Sequence, residues 1–202
     1  MEWIEDIATL EAIYSAPPSE AAVVKLARRM TPLYRQWIMA SRFCIVSTIG
    51  PEGADGSPRG DDGAVVMELD EGTLALPDWH GNNRVDTLRN VVRDGRIALM
   101  FLVAGSDNAV RVNGTARLTA DANLRARFDR MGKQPRSVIV IAIDEIYIQC
   151  ARALKRAHLW EGQPKATGLP TAGDILAEMT QGRIDGKAYD EEWPARAADT
   201  MW

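Results

Sequence analysis

Cysteine and histidine are scarce in this chain of 202 residues, with two of each. Cys44 and Cys150 both lie in apolar, strand-like runs. They read as buried thiols, not as a disulfide framework, which is consistent with a reducing cytoplasm. Neither has a neighbour at metal-ligand spacing, and only His80 and His158 could join them, so a His/Cys metal centre is not expected. The same shortage leaves a nucleophilic triad little to build on. No apolar run approaches the ~20 residues of a membrane span. The stretch Met1-Glu2-Trp3-Ile4-Glu5-Asp6 lacks the basic start and apolar centre of a signal peptide. A net charge of -4 and an isoelectric point near 5.3 argue against general nucleic-acid binding. The glycine-rich nucleotide loops, the nucleophile elbow and the H-E-x-x-H zinc helix are all missing, and there is no internal repeat or low-complexity segment.

What is present is a chain with 46% hydrophobic and 26% charged residues, enough for one soluble domain with terminal additions. Residues 1–40 read as a helical preface. Ile4, Ile7, Leu10 and Ile13 form a stripe, and Pro17-Pro18 breaks it. Ser19 can cap a helix running towards Met30, and Thr31-Pro32 starts another. From Ser41 the pattern turns to strands: Phe43–Ile49, Gly56–Arg59, Ala64–Leu69, Thr73–Pro77, Arg96–Val103, Ala109–Leu118 and Ser137–Cys150. Pro58 marks the second of these as an edge or a bulge. Two helices are inserted, one from Asn83 to Gly95 burying Val85, Leu88 and Val91 or Val92, and one from Asp121 to Met131. Hairpin-length links imply a mainly β, α+β fold: six to seven antiparallel strands closing into a small barrel. Residues 41–160 form that domain. Residues 161–202 form a tail, with a linker from Gly162 to Thr171 and two short helices. Trp193 and Trp202 in the tail need cover, for which a second subunit is the expected source.

Three polar clusters carry chemistry. Pro77-Asp78-Trp79-His80-Gly81-Asn82-Asn83-Arg84 joins the end of a strand to the start of a helix. Unpaired N–H groups at a helix start favour an anion, with Asn82 or Asn83 as cap and Arg84 as a forked donor. The plainer alternative is an ordinary capped helix. Ser57-Pro58-Arg59-Gly60-Asp61 puts a second guanidinium at a strand end, although a surface turn with an Asp61–Arg ion pair fits the same residues. If Arg59 and Arg84 converge, they match a phosphate ester. Arg152, Lys155, Arg156 and His158 precede Trp160, forming either a solvated basic face or a rim around an anionic ligand. His80, beside the first cluster, is the better acid/base candidate of the two histidines.

In this order, these clusters resemble the FMN-binding split barrel of the pyridoxamine 5′-phosphate oxidase-like superfamily. The chain is most similar to a branch of FMN-dependent enzymes whose substrate is unassigned. The matching motifs are Ser57–Asp61, Pro77–Asn90, Arg111-Val112-Asn113-Gly114 and Cys150–Trp160. The resemblance implies a cytoplasmic homodimer with FMN at the subunit interface. It assigns the phosphate to Arg59 and Arg84, with Ser57, Gly60, Asn82 and Asn83 beside them. The strand around Leu76 to Asp78 runs along the ring. Arg111 is implied as a contribution of the second subunit, and Arg152, Arg156 and Trp160 as the residues that close the pocket. The implied activity is an FMN-dependent oxidoreductase acting on a small molecule, with NAD(P)H or a deazaflavin as electron partner. A non-catalytic flavin- or haem-binding protein is the alternative. Oxidation of pyridoxamine phosphate itself is not expected. The oxidases carry Arg-x-x-Leu-Leu-Lys where this chain reads Arg59-Gly60-Asp61-Asp62-Gly63-Ala64, and residues 168–202 contain no Arg-Leu-His-Asp-Arg segment.

Overall fold

The computed structural model describes residues 1–162 and 167–202. Seven antiparallel strands make one sheet: β1 (Phe43–Gly50), β2 (Gly53–Gly60), β3 (Met67–Asp70), β4 (Thr73–Asp78), β5 (Arg96–Leu102), β6 (Ala109–Thr119) and β7 (Ser137–Gln149). Their order is β2-β1-β5-β6-β7-β4-β3. Residues 163–166 of the expected linker lie outside the described residues.

The core follows from the period-two pattern of the strands. In β1, Cys44, Val46 and Thr48 point inward while Phe43, Ile45 and Ile49 face out. In β5, Ile97, Leu99 and Phe101 do the same. Leu74 and Leu76 of β4, Val110 and Val112 of β6, and Ile139 and Ile141 of β7 complete one apolar interior. β2, which holds Pro58, is the first strand in the order and therefore an edge, where a missing N–H costs no ladder bond on the free side.

The hydrogen-bonded ladder does not close. β2 and β3 stand at opposite ends of the order, and no pairing joins them among the described residues. The expected barrel is thus a curled sheet with a split, and α4 (Asp86–Arg93) packs against β1 beside it. The buried side chain of Asn90 in α4 donates to Thr48 Oγ1 at 3.2 Å, tying helix to sheet.

Several boundaries differ from the expectation. α4 begins at Asp86, not Asn83. Asn83 sits at φ 60°, a left-handed conformation that cannot open a helix, and Val85 is the N-cap without a side-chain cap bond. Starting later turns the helix so that Val91 is buried while Val85 and Val92 are exposed. Cys150 is exposed, because β7 ends at Gln149 and the chain has already left the sheet. In the preface, α1 (Ile7–Ile13) buries none of its stripe. α2 (Glu20–Val24) stops early, because Ala27 bridges to Ile146 and the Met30 N–H donates to the Glu71 carbonyl. α3 (Pro32–Met39) is capped by Thr31 and buries Ile38. α5 (Ala122–Ala126) is shorter than expected, yet Phe128 beyond it is buried. The tail carries α7 (Ala172–Met179) and α8 (Gly186–Thr200) after α6 (Arg152–Arg156). Gly173 and Gly186 let α7 and α8 touch backbone to backbone: a Cβ on either would fall within 2.3 Å of the other's carbonyl oxygen.

Candidate functional site

A cavity of about 1100 Å³ opens along the split between β2 and β4. In β2, Asp55, Ser57 and Arg59 share the inward face by period two. From β4 come Leu76 and Asp78, again two apart. The connection from Trp79 to Val85 and the start of α4 form a third side. Ser57, Arg59, Gly60, Leu76, Asp78, Asn82, Asn83 and Arg84, all singled out from sequence, therefore line one space.

Arg59 crosses the split. Its Nη1 donates to Asp78 Oδ1 at 2.7 Å, and both side chains are about four-fifths buried. The Nε of Arg59 is buried and has no protein partner. A buried guanidinium N–H left unpaired is costly. Arg59 lies opposite Cys44 in the β1–β2 register. Burial pushes the Cys44 thiol up to about 12, although the nearby Arg59 charge acts the other way.

Arg84 is held differently. The Asn82 Oδ1 accepts the Arg84 N–H at 3.0 Å, forming an Asx-type turn, so Asn82 organises the connection instead of capping the helix. The Arg84 guanidinium is 79% exposed and leans on Asp86 at 3.2 Å. Such a pair exchanges readily for a better anion. His80 is exposed at the same margin.

Arg130 and Arg136 had no local signal in the sequence, and for Asp61, Trp79 and Trp202 it gave no sign of which side chains they meet. Arg136, just before β7, reaches Asn83 Oδ1 at 3.1 Å and adds a third guanidinium. Asp61 has a side chain only 2% exposed; it accepts from Arg130 Nη2 at 2.9 Å and from the Trp79 indole N–H at 3.0 Å. Trp202 of the tail stands 5.1 Å from Trp79, nearly perpendicular, so its own chain supplies part of its cover. These contacts span from 18 to 123 positions of sequence, and no spacing rule could have found them.

The remaining candidates lie elsewhere in the chain. Arg111 on β6 stacks its guanidinium 5.1 Å from the Tyr147 ring centroid. Arg152 and Arg156 are exposed on α6. The indole N–H of Trp160 donates to the Ser106 carbonyl at 2.8 Å, and His158 pairs with Glu161 on the surface. The motif glycine Gly114 has a packing role. A Cβ there would lie 2.1 Å from the Ala142 carbonyl oxygen, at the bulge where β6 shifts register against β7.

Among the described residues no cluster of His, Cys, Asp and Glu could hold a metal, and no helix is long and apolar enough to cross a membrane. No curated protein matches the chain. Among solved structures it is similar to HupZ of Group A Streptococcus, with 17% identity over 58% of this chain and 91% of that one, at a TM-score of 0.48. It is similar to general stress protein 26 of Bacillus anthracis, with 14% identity over 56% and 88%, at 0.44. A protein from Lactobacillus delbrueckii that takes its name from pyridoxamine 5′-phosphate oxidase gives 18% identity over 60% and 95%, at 0.46. The family model for pyridoxamine 5′-phosphate oxidase matches residues 30–150, which take in all seven strands, α4 and the Arg59–Asp78 split. The chain belongs to the pyridoxamine 5′-phosphate oxidase-like split-barrel family.

Proposed function

We propose that the cavity along the split binds FMN and that the protein is an FMN-dependent oxidoreductase acting on a small molecule. The observation that carries this reading is that three guanidinium side chains, Arg59, Arg84 and Arg136, line one cavity. Guanidinium forks suit the phosphate of a flavin nucleotide. The volume, about 1100 Å³, leaves room for a flavin and a second small molecule.

In this reading Asp78 aims Arg59, and the Asn82 turn presents Arg84. Ser57 and Asn83 add polar groups, and Leu76 gives an apolar side to the ring. Bound FMN would supply hydride transfer, chemistry this chain's own side chains lack. The chain's part is to bind, to orient and to exclude water. A homodimer completes the site, the second copy bringing its own Arg111, Arg152, Arg156 and Trp160. Pyridoxamine phosphate is not the substrate proposed. No Lys follows Arg59 in the strand, and the tail places Trp202, not a basic segment, at the cavity.

The test is titration of purified protein with FMN, followed by absorbance and flavin fluorescence quenching. Saturable binding, with bleaching of the flavin band on adding NADH or NADPH, is expected. Failure to bind FMN overturns the proposal, and a Soret band with haemin in that case would assign the cavity to haem. Light scattering should give a dimer at micromolar concentration.

A further inference from the structure

The flavin reading uses the arginine-lined part of the cavity and gives its aromatic part no role. Trp79 and Trp202 both line that cavity, with ring planes at 78°. Trp79 is not free to turn, because its N–H is held by Asp61. Asp61, nearly fully buried, also accepts from the Gly63 N–H and from Arg130. Arg130 in turn places its guanidinium 5.9 Å from the centroid of the Trp202 ring. Lys133 Nζ donates to the Asp199 carbonyl at 2.9 Å, three residues before Trp202, and so pins the end of α8. Groups from the end of β2, the end of β4, the loop after α5 and the tail thus converge to hold two indoles in place. Trp202 belongs to neither apolar core cluster and stays partly exposed. Trp79 packs in part against the core cluster of Ala75, Phe128 and Val138, whereas Trp202 is fixed without joining a core, so holding it beside the buried Asp61 is unfavourable unless its surface meets something else.

We infer that Trp79 and Trp202 form a subsite for a flat, uncharged, electron-poor conjugated ring, with Asp61 and Arg130 as its positioning residues. Indole faces are electron-rich and prefer electron-poor rings in offset or edge contact. Arg130 covers one face of Trp202, which leaves the rest of the ring to the cavity. Arg130 is already paired with Asp61, and Asp62 also lines this part, so an anionic ring gains nothing here. The substrate class that follows is a heteroaromatic or quinone-type molecule held beside the flavin. The inference rests on the flavin reading for the ring's purpose, and on the two indoles alone for its binding.

The experiment uses quinoxaline, a neutral electron-poor heteroaromatic, titrated calorimetrically into the full chain with and without saturating FMN. Cyclohexane-1,4-dione, also uncharged but not aromatic, is the control. Quinoxaline should bind in both conditions and the dione far more weakly. Trp202→Ala should weaken quinoxaline about fivefold or more, and Trp202→Phe should keep it within about threefold. Arg130→Gln should weaken it about twofold or more, and Arg130→Lys should restore it. Equal affinity in wild type and Trp202→Ala, or equal binding of the dione, overturns the subsite. Loss of quinoxaline binding on FMN saturation also overturns it, by showing that the indoles hold the flavin itself. Absence of FMN binding with Trp202-dependent quinoxaline binding would refute the flavin reading and leave the subsite standing.

Discussion

Arg59 and Asp78 meet across the open side of the sheet, Nη1 to Oδ1 at 2.7 Å, although four strands separate β2 from β4 in the ladder. Side chains thus bridge where the backbone ladder does not. The split survives as a cavity because no strand fills it. Arg59 serves both the fold, through Asp78, and the proposed ligand, through the N–H groups that Asp78 leaves free.

The two arginines should therefore respond differently to substitution. Arg84→Ala removes an exposed pair with Asp86, so unfolding free energy should change by less than about 0.5 kcal/mol. FMN affinity should still fall by about 1.5–3 kcal/mol, the worth of a hydrogen bond to a charged group. Arg59→Ala should lose a similar amount of FMN affinity and also about 1–3 kcal/mol of stability, because Asp78, about four-fifths buried, is left without its partner. Parallel FMN titrations and urea melts separate the two outcomes.

Asp61 should matter more to stability than its surface-turn sequence suggests. Asp61→Ala strands Arg130 and the Trp79 N–H together, an expected cost of about 2–4 kcal/mol. Near-UV circular dichroism should change as Trp79 and Trp202 lose their fixed geometry. Asp61→Asn, which keeps an acceptor for Trp79, should cost less. Equal costs for the two variants would show that the acceptor for Trp79 contributes nothing and that the charge on Asp61 carries the whole effect.

The buried thiol predicts an alkaline dependence. An exposed cysteine ionises near 9.0, whereas Cys44 in the folded chain does so near about 12, because burial disfavours the thiolate. Between those values the unfolded chain has lost a proton that the folded chain retains. Stability should fall as pH rises through that window, with a slope approaching ~1.4 kcal/mol per pH unit from this group, and Cys44 should contribute no slope below it. Urea melts at pH 8 and pH 10.5 should show a larger loss for wild type than for Cys44→Ala. Cys150 behaves oppositely. The Arg152 backbone N–H stabilises its thiolate and draws its ionisation below the ordinary value. A thiol reagent at pH 7.5 should label one cysteine, Cys150, in the folded chain and both only after unfolding.

Gly114→Ala should destabilise by about 2–3 kcal/mol, because the added methyl meets the Ala142 carbonyl, which is backbone and cannot rotate away. Denaturant unfolding measures this. A change below 0.5 kcal/mol would mean that the β6–β7 bulge can shift at little cost.

Much of the fold was legible from local pattern. The alternation in β1 and β5, the apolar run of β7, the Thr31-Pro32 helix start and the Gly95 stop all found their elements within a few residues, because each rests on contacts of short range. The start of α4 was misplaced because Asn83 suits a left-handed turn as well as a cap, and the packing of Val91 decided between them. Cys150 was misplaced because an apolar run does not reveal where a strand leaves its sheet.

The residues of the site divide in the same way. Strand period and turn chemistry determined an antiparallel β domain, and the order of its motifs pointed to the pyridoxamine 5′-phosphate oxidase family and singled out Arg59 and Arg84. Only the tertiary structure decided that Arg59 is pinned to Asp78, that Arg136 joins it, and that Trp202 reaches Trp79 through Arg130 and Asp61. The reason is range. Period and capping act over a few residues, whereas the cavity is made where strands distant in the sequence curl together, and which side chains meet there depends on the closed shape of the whole sheet.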